Sequence, residues 1–324
     1  LFEEVFMNDI RRTFLWVIFG FSMVLLWDQW QIYNGHKATF FPKPVVANAE
    51  NTAASSTPAA ASSVPTASSS ATSTAAGPSE VPSSSAASNA PTTSRERIDV
   101  STDVLKLRFD TEGGTLLFAE FLKFGDLVDS KKPFVLLDES KARVYVAQTG
   151  LIGGAFASHK TPMKFTGEST LKEGKNELVL NFESADVGGL KLVKTYTLTR
   201  GSYAIKVNHQ VLNTGNAAVS PQLYVQLVRD GNKPEGESAF YSTFTGPAVY
   251  TEAKKYQKIE FTDIEKGKAE FEKNAPQGYV AMVQHYFASA WVLPANTVRE
   301  NFARKVDTNL YSVGMITPFS EVAP

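Results

Sequence analysis

The residue types that most often carry catalysis or bind metals are sparse in this sequence. It contains no cysteine and four histidines, at positions 36, 159, 209 and 285. No two histidines stand at the spacing of metal ligands, and no HExxH motif occurs. Without cysteine there is no thiol nucleophile, no cysteine-ligated metal and no disulfide framework. We therefore expect no catalytic residue, no cofactor and no metal site.

Motifs of nucleotide-binding proteins and serine hydrolases are missing as well. The glycine pairs at 113–114, 153–154 and 188–189 belong to no GxxxxGK[ST] or GxGxxG loop, and no GxSxG occurs. A formal net charge of −1 argues against a nucleic acid partner. Aromatic residues form 11% of the chain, and their rings can stack on sugars. A membrane-anchored carbohydrate-binding or carbohydrate-processing β-sandwich therefore stays open as an alternative.

Any site in this chain must be positioned mainly by short strands. Apolar and polar residues alternate around 105–110, around 178–182 and along 203–211, which is the period of half-buried strands. Turn-forming glycines separate these segments and leave little room for crossover helices. We predict that residues 95–324 form a mainly β domain, a large antiparallel β-sandwich with one short helix near 263–273.

Two features of this domain have competing interpretations. His209 lies on the inward register of its segment, which is more typical of a core histidine than of a ligand. The segment 276–298 carries no charged residue, which could suggest a membrane span. Gln284 and His285 at its middle would be costly in lipid, so buried strands are the favoured interpretation.

The N-terminal part has the pattern of a transmembrane helix. Residues 13–27 carry no charge, and the segment continues to residue 33 with Asp28 as its only charge. Because a span needs about 20 residues, we predict a single membrane anchor over 13–33. The residues expected to hold the anchor are Arg11, Arg12, Trp16, Phe19, Trp27 and Trp30. A cleaved signal peptide is the alternative, but its best cleavage site, at 47–49, lies too far downstream.

A linker is predicted between the anchor and the β domain, over residues 34–94. From 45 onward, 40 of 50 residues are Ser, Ala, Thr or Pro. Such a segment cannot bury enough apolar surface to offset the entropy of ordering, so we expect it to be disordered. Two basic residues stand on each side of the anchor, and charge alone leaves its orientation open.

Two separate motifs resemble one known family. MNDIRRT at 7–13, with LWVIF at 15–19, is similar to the start of the YidC-type bacterial membrane protein insertases. GYVAMVQHYFASAW at 278–291 is similar to a signature late in the large periplasmic domain of that family. The resemblance covers the anchor and the whole β domain. It implies that residues 1–12 are cytoplasmic, that the anchor crosses the bacterial inner membrane once, and that 95–324 form a periplasmic β-supersandwich without known catalysis.

The resemblance also implies a function and partners. Insertases of this type assist the insertion and folding of inner-membrane proteins, alone or with the Sec translocon and its accessory subunits. The implied partners are the lipid bilayer, nascent inner-membrane proteins and the translocon. This chain stops before the later helices of the family, so we expect a fragment or a truncated product that supplies the anchor and a docking module. The candidate partner surface, with core strand as the competing interpretation, is Tyr279, Met282, Gln284, Tyr286, Phe287 and Trp291.

Overall fold

The computed structural model of the protein describes residues 95–236 and 243–324, together with Trp16, 18–24, Trp27 and Trp30. The N-terminal positions among these are helical, and the rings of Trp16, Phe19, Trp27 and Trp30 are more than half exposed. The predicted transmembrane helix is not supported, because the described residues include no helix long and apolar enough to cross a bilayer. Arg11, Arg12 and the predicted linker over 34–94 lie outside the described residues.

Between 95 and 324, the described residues form a mainly β domain, as predicted. Its first strands are β1 (Arg97–Ser101), β2 (Leu105–Asp110), β3 (Thr115–Gly125), β4 (Pro133–Glu139), β5 (Val144–Ile152), β6 (Met163–Gly167), β7 (Glu177–Ser184), β8 (Leu190–Thr199) and β9 (Ile205–Asn213). The later elements are β10 (Gln222–Asp230), β11 (Thr245–Thr251), β12 (Lys255–Lys258), helix α1 (Phe261–Glu265), β13 (Asn274–Ala275), β14 (Tyr279–Gln284), β15 (Phe287–Val292), β16 (Arg299–Asp307) and β17 (Leu310–Pro318).

The strands form three sheets, and every ladder between them is antiparallel. A nine-stranded sheet has the order β1-β2-β3-β4-β5-β10-β17-β16-β13. Two four-stranded sheets have the orders β12-β11-β14-β15 and β6-β7-β8-β9. Alternation in β7, where Leu178, Leu180 and Phe182 are buried, confirms the period of two that the sequence predicts there.

Both small sheets pack on the same face of the nine-stranded sheet. Tyr145 and Thr149 point to one face of β5, because they lie four residues apart in a strand. The Tyr145 hydroxyl donates to the Met282 carbonyl in β14, and His209 of β9 contacts Thr149. One continuous apolar core joins all three sheets. The second layer of the sandwich therefore consists of two sheets, which contact the same face of the nine-stranded sheet.

The helix and the uncharged segment also differ in detail from the predictions. Helix α1 has five residues and begins two residues before the predicted start. It ends there because Gly267 adopts φ +65°, which an α-helix cannot contain. The segment 276–298 forms β14 and β15, which confirms strands, although β15 is only half-buried.

Candidate functional site

The motif at 278–291 forms a β-hairpin. β14 and β15 pair from Tyr279 with Val292 to Gln284 with Phe287, so the turn consists of His285 and Tyr286. His285 adopts φ +50°, a left-handed conformation that suits two-residue hairpin turns. Its Nδ1 lies 2.9 Å from the Thr243 hydroxyl oxygen, and this contact fixes the imidazole ring against Thr243.

The inward side chains of β14 belong to the core. Met282 is fully buried and Gln284 is 3% exposed. The Gln284 Oε1 accepts a hydrogen bond from Arg143, at 3.3 Å, and therefore does not lie unpaired in an apolar interior. For these two residues the structure favours the core interpretation over the partner surface.

The aromatic residues of the motif divide between core and surface. The Trp291 indole donates to the Gln226 carbonyl at 3.0 Å, and Tyr279 stacks on Tyr250 with ring centres 5.2 Å apart. Both residues are half-buried. Tyr286 is 79% exposed, so the core-strand interpretation does not describe this residue. It occupies the hairpin turn, where no neighbouring strand covers it.

Phe287 connects the hairpin to a group of rings that we name the aromatic cluster: Phe121, Phe124, Phe134, Tyr203 and Phe287. Phe287 stacks on Phe134 with centres 3.8 Å apart and meets Phe121 and Phe124 edge-on. Phe124 and Tyr203 are 45% and 40% exposed, and three further apolar side chains are exposed nearby in sequence: Leu122, Leu127 and Val128. The cluster is thus anchored in the core and open to solvent along the end of β3.

Substitution of the neighbouring residues Tyr286 and Phe287 tests whether the first ring is exposed and the second is packed against the core. Phe287→Ala removes a half-buried ring with three aromatic neighbours and should cost roughly 2 kcal/mol of unfolding free energy. Tyr286→Ala removes a solvent-exposed ring and should change stability by less than about 0.5 kcal/mol. Urea unfolding followed by tryptophan fluorescence measures both. Equal losses for the two variants would show that Tyr286 is packed.

A buried lysine is a feature that the sequence reading missed. Lys194 is fully buried, and its ammonium group donates to the Gly113 and Thr149 carbonyls at 2.6 and 2.7 Å. Desolvation lowers the pKa of Lys194 to about 7. His209 lies on the other side of Thr149, with Nε2 2.9 Å from its hydroxyl oxygen. Burial, followed by the charge of Lys194, lowers the pKa of His209 to about 3. His209 is therefore a half-buried histidine on the inward register that the sequence predicts, with a hydrogen-bond partner in Thr149.

A polar recess of about 230 Å³ is lined by His159, Lys160 and three carboxylates, Asp110, Glu112 and Glu139. Catalysis on a sugar would call for a histidine within hydrogen-bond reach of a carboxylate. His159 instead places Nδ1 2.6 Å from the Tyr224 hydroxyl oxygen, and no histidine–carboxylate hydrogen bond occurs among the described residues. Burial lowers the pKa of His159 to about 4. The recess therefore does not favour the carbohydrate alternative. Among all the residues that the structure describes, no group of three or more His, Cys, Asp or Glu side chains could hold a metal ion.

Relatives of known name cover almost the whole chain. The membrane protein insertase YidC of Janthinobacterium sp. (strain Marseille) is 46% identical over 322 residues, which are 98% of this chain and 55% of the relative. The protein of that name from Bordetella petrii is 47% identical over 324 residues, covering 98% and 56%. That from Herminiimonas arsenicoxydans is 43% identical over 318 residues, covering 98% and 55%. The chain thus spans just over half the length of these relatives.

Comparison of folds finds a galactose mutarotase related enzyme from Lactobacillus acidophilus. It is 9% identical, with a TM-score of 0.41 over 70% of this chain and 86% of that chain, a similarity too distant to support a conclusion. The family model described as YidC periplasmic domain matches residues 97–324, which confirms the resemblance seen in the two motifs. The chain therefore belongs to the YidC periplasmic domain family.

Proposed function

We propose that this chain is the N-terminal part of a membrane protein insertase, which assists the insertion and folding of inner-membrane proteins alone or with the Sec translocon. In this part the segment 13–33 anchors the protein, and residues 95–324 are the periplasmic docking module. The observation that carries the proposal is identity of 43–47% over 98% of the chain to three proteins named membrane protein insertase YidC. The proposed cellular place is the bacterial inner membrane, with a cytoplasmic N-terminus and a single span in this chain.

The proposed partners are the bilayer, nascent inner-membrane proteins, and the Sec translocon with its accessory subunits. The bilayer would be contacted through Arg11, Arg12, Trp16, Phe19, Trp27 and Trp30, since basic residues and aromatic rings favour the membrane interface. For the other partners, the aromatic cluster is the best-supported docking surface of the described part. Exposed apolar side chains grouped around core-anchored rings are typical of interaction sites.

Site-specific photo-crosslinking in bacterial cells tests the proposal. A photoreactive residue replaces Phe124, and the matched control replaces Val179, which is 41% exposed in the middle strand β7. While an inner-membrane protein is being synthesised, the probe at 124 should crosslink to the nascent chain or to translocon subunits, and the probe at 179 should not. Equal yields at both positions, or none at 124, would contradict docking at the aromatic cluster.

A further inference from the structure

Among the residues that the structure describes, β15 pairs along only one of its two edges. It is the last strand of its four-stranded sheet and forms a ladder with β14 alone. Within 95–236 and 243–324, residues 287–292 make no further backbone–backbone hydrogen bond. The outer N–H and C=O groups of this strand are therefore available to another extended chain.

The other strands at sheet edges are guarded, and β15 is not. Natural edge strands resist unwanted pairing by being very short or by carrying charges, lysine above all. β13 has two residues, and the remaining edge strands β1, β6, β9 and β12 carry Arg97, Lys164, Lys206 and Lys255, respectively. β15 has the sequence FASAWV, without charge or proline. This contrast marks its edge as one that the fold leaves open for pairing.

The side chains of β15 make this edge both rigid and apolar. Phe287 stacks on Phe134, the Ser289 hydroxyl oxygen lies 2.6 Å from that of Tyr145, and the Trp291 indole donates to the Gln226 carbonyl. These contacts hold the inward side of the strand to the nine-stranded sheet. The outward residues form an uncharged, exposed row: Tyr286, Ala288, Ala290 and Val292. A chain added at this edge would lie beside this uncharged row on its exposed side.

We propose that β15 binds an extended, uncharged segment of a client polypeptide by strand addition, a role that rests on the proposed insertase function. Alternating N–H and C=O groups along a strand edge are complementary to an extended peptide backbone, whereas a lipid or a sugar lacks that repeat. The uncharged row offers no counter-ion to a charged segment, so it favours an uncharged one. The apolar segments of a membrane protein that have not yet folded fit both requirements.

A fluorescent peptide of alternating valine and threonine, added to the full chain reconstituted in lipid vesicles, measures this binding by fluorescence anisotropy. Ala290→Lys places a charge on the exposed edge without touching the core and should weaken binding about tenfold. The control Val179→Lys adds the same charge at an exposed position of a middle strand and should leave binding unchanged. A version of the peptide N-methylated at alternate residues keeps its side chains but loses the donors of one edge, and it should not bind.

Unchanged binding in Ala290→Lys, or full binding of the N-methylated peptide, would overturn the proposal, since either shows adsorption through side chains alone. Dimerisation of the chain that excludes the peptide and is abolished by Ala290→Lys would overturn it in favour of a second copy at β15. Peptide binding as predicted without crosslinks at residue 124 would support strand addition while the docking proposal fails. Crosslinks at 124 without peptide binding would overturn strand addition alone.

Discussion

Replacing Arg299 by alanine should lower the unfolding free energy of the β domain by about 4 kcal/mol. The side chain is 1% exposed, and its partners in the described structure are backbone carbonyls. Carbonyls before β14, at Pro276 and Gly278, accept its hydrogen bonds at 3.1 and 2.9 Å. Carbonyls after β15, at Pro294 and Thr297, accept at 2.6 and 2.9 Å. Arg299 therefore ties together the two ends of the hairpin, and alanine would leave these four acceptors, and the Leu293 carbonyl at 3.5 Å, without this donor.

Urea unfolding of the wild type and of Arg299→Ala measures this loss of unfolding free energy. Arg299→Lys keeps the charge but not the planar fork of donors, so it should lie between wild type and alanine and shows the trend even if the alanine variant does not fold. The control Arg108→Ala breaks an exposed ion pair with Asp99 and should cost less than about 1 kcal/mol. A loss at Arg299 no larger than at Arg108 would show that the carbonyls are satisfied without the guanidinium.

Acidification from pH 6.5 to pH 4 should destabilise the β domain by about 3 kcal/mol or more. Burial holds the pKa values of His159 and His209 at about 4 and about 3 in the folded state, below the ordinary value of 6.5. As the pH falls below 6.5, the unfolded chain takes up protons at these residues before the folded chain does. The stability that they contribute is thus complete above pH 6.5 and is lost as the pH falls towards the folded pKa values.

Lys194 extends the same trend to alkaline pH. Its pKa is about 7 in the folded state and 10.5 ordinarily, so the unfolded chain binds the extra proton between these values. Stability should therefore also rise as the pH is raised from 7 towards 10, as far as this residue is concerned.

Unfolding measured at intervals between pH 4 and pH 8 tests the role of the histidines. His209→Gln should flatten the dependence between pH 6.5 and pH 4, because one buried group no longer titrates. Asp99→Asn serves as the control, since the hydrogen bond from Arg108 lowers the pKa of this carboxylate and keeps its titration below that window. An unchanged slope in His209→Gln together with His159→Gln would rule out these residues as its cause.

The strand content of this domain could be predicted from local pattern, but the partners of its polar core could not. The alternation in β8 already places Lys194 between Leu192 and Tyr196 on the inward face. The carbonyls that accept its hydrogen bonds come from Gly113 and Thr149, in other parts of the chain. The period of two predicts which side chains point inward, but it does not predict which distant backbone groups accept their hydrogen bonds.

The candidate surface shows the same limit. The motif at 278–291 could be located from resemblance, and its strands from the polar Gln284 and His285 at the middle of an uncharged segment. That Phe287 meets Phe121, Phe124 and Phe134 depends on how β15 lies over β3 and β4, which no local pattern encodes. The division of the second layer into two sheets is likewise a result of strand order. Tyr286 is exposed because it lies in the tight turn of the hairpin. The sequence pattern of the two flanking strands does not predict the position of this turn.

Protease treatment of cells that produce the chain tests most directly whether the β domain stands outside the inner membrane on a retained anchor. In intact cells, residues 95–324 should be protected from the protease. In spheroplasts the same protease should digest them, and the remaining N-terminal part should stay in the membrane fraction. Full protection in spheroplasts, or recovery of the mature protein without its N-terminal segment in the soluble fraction, would contradict the account.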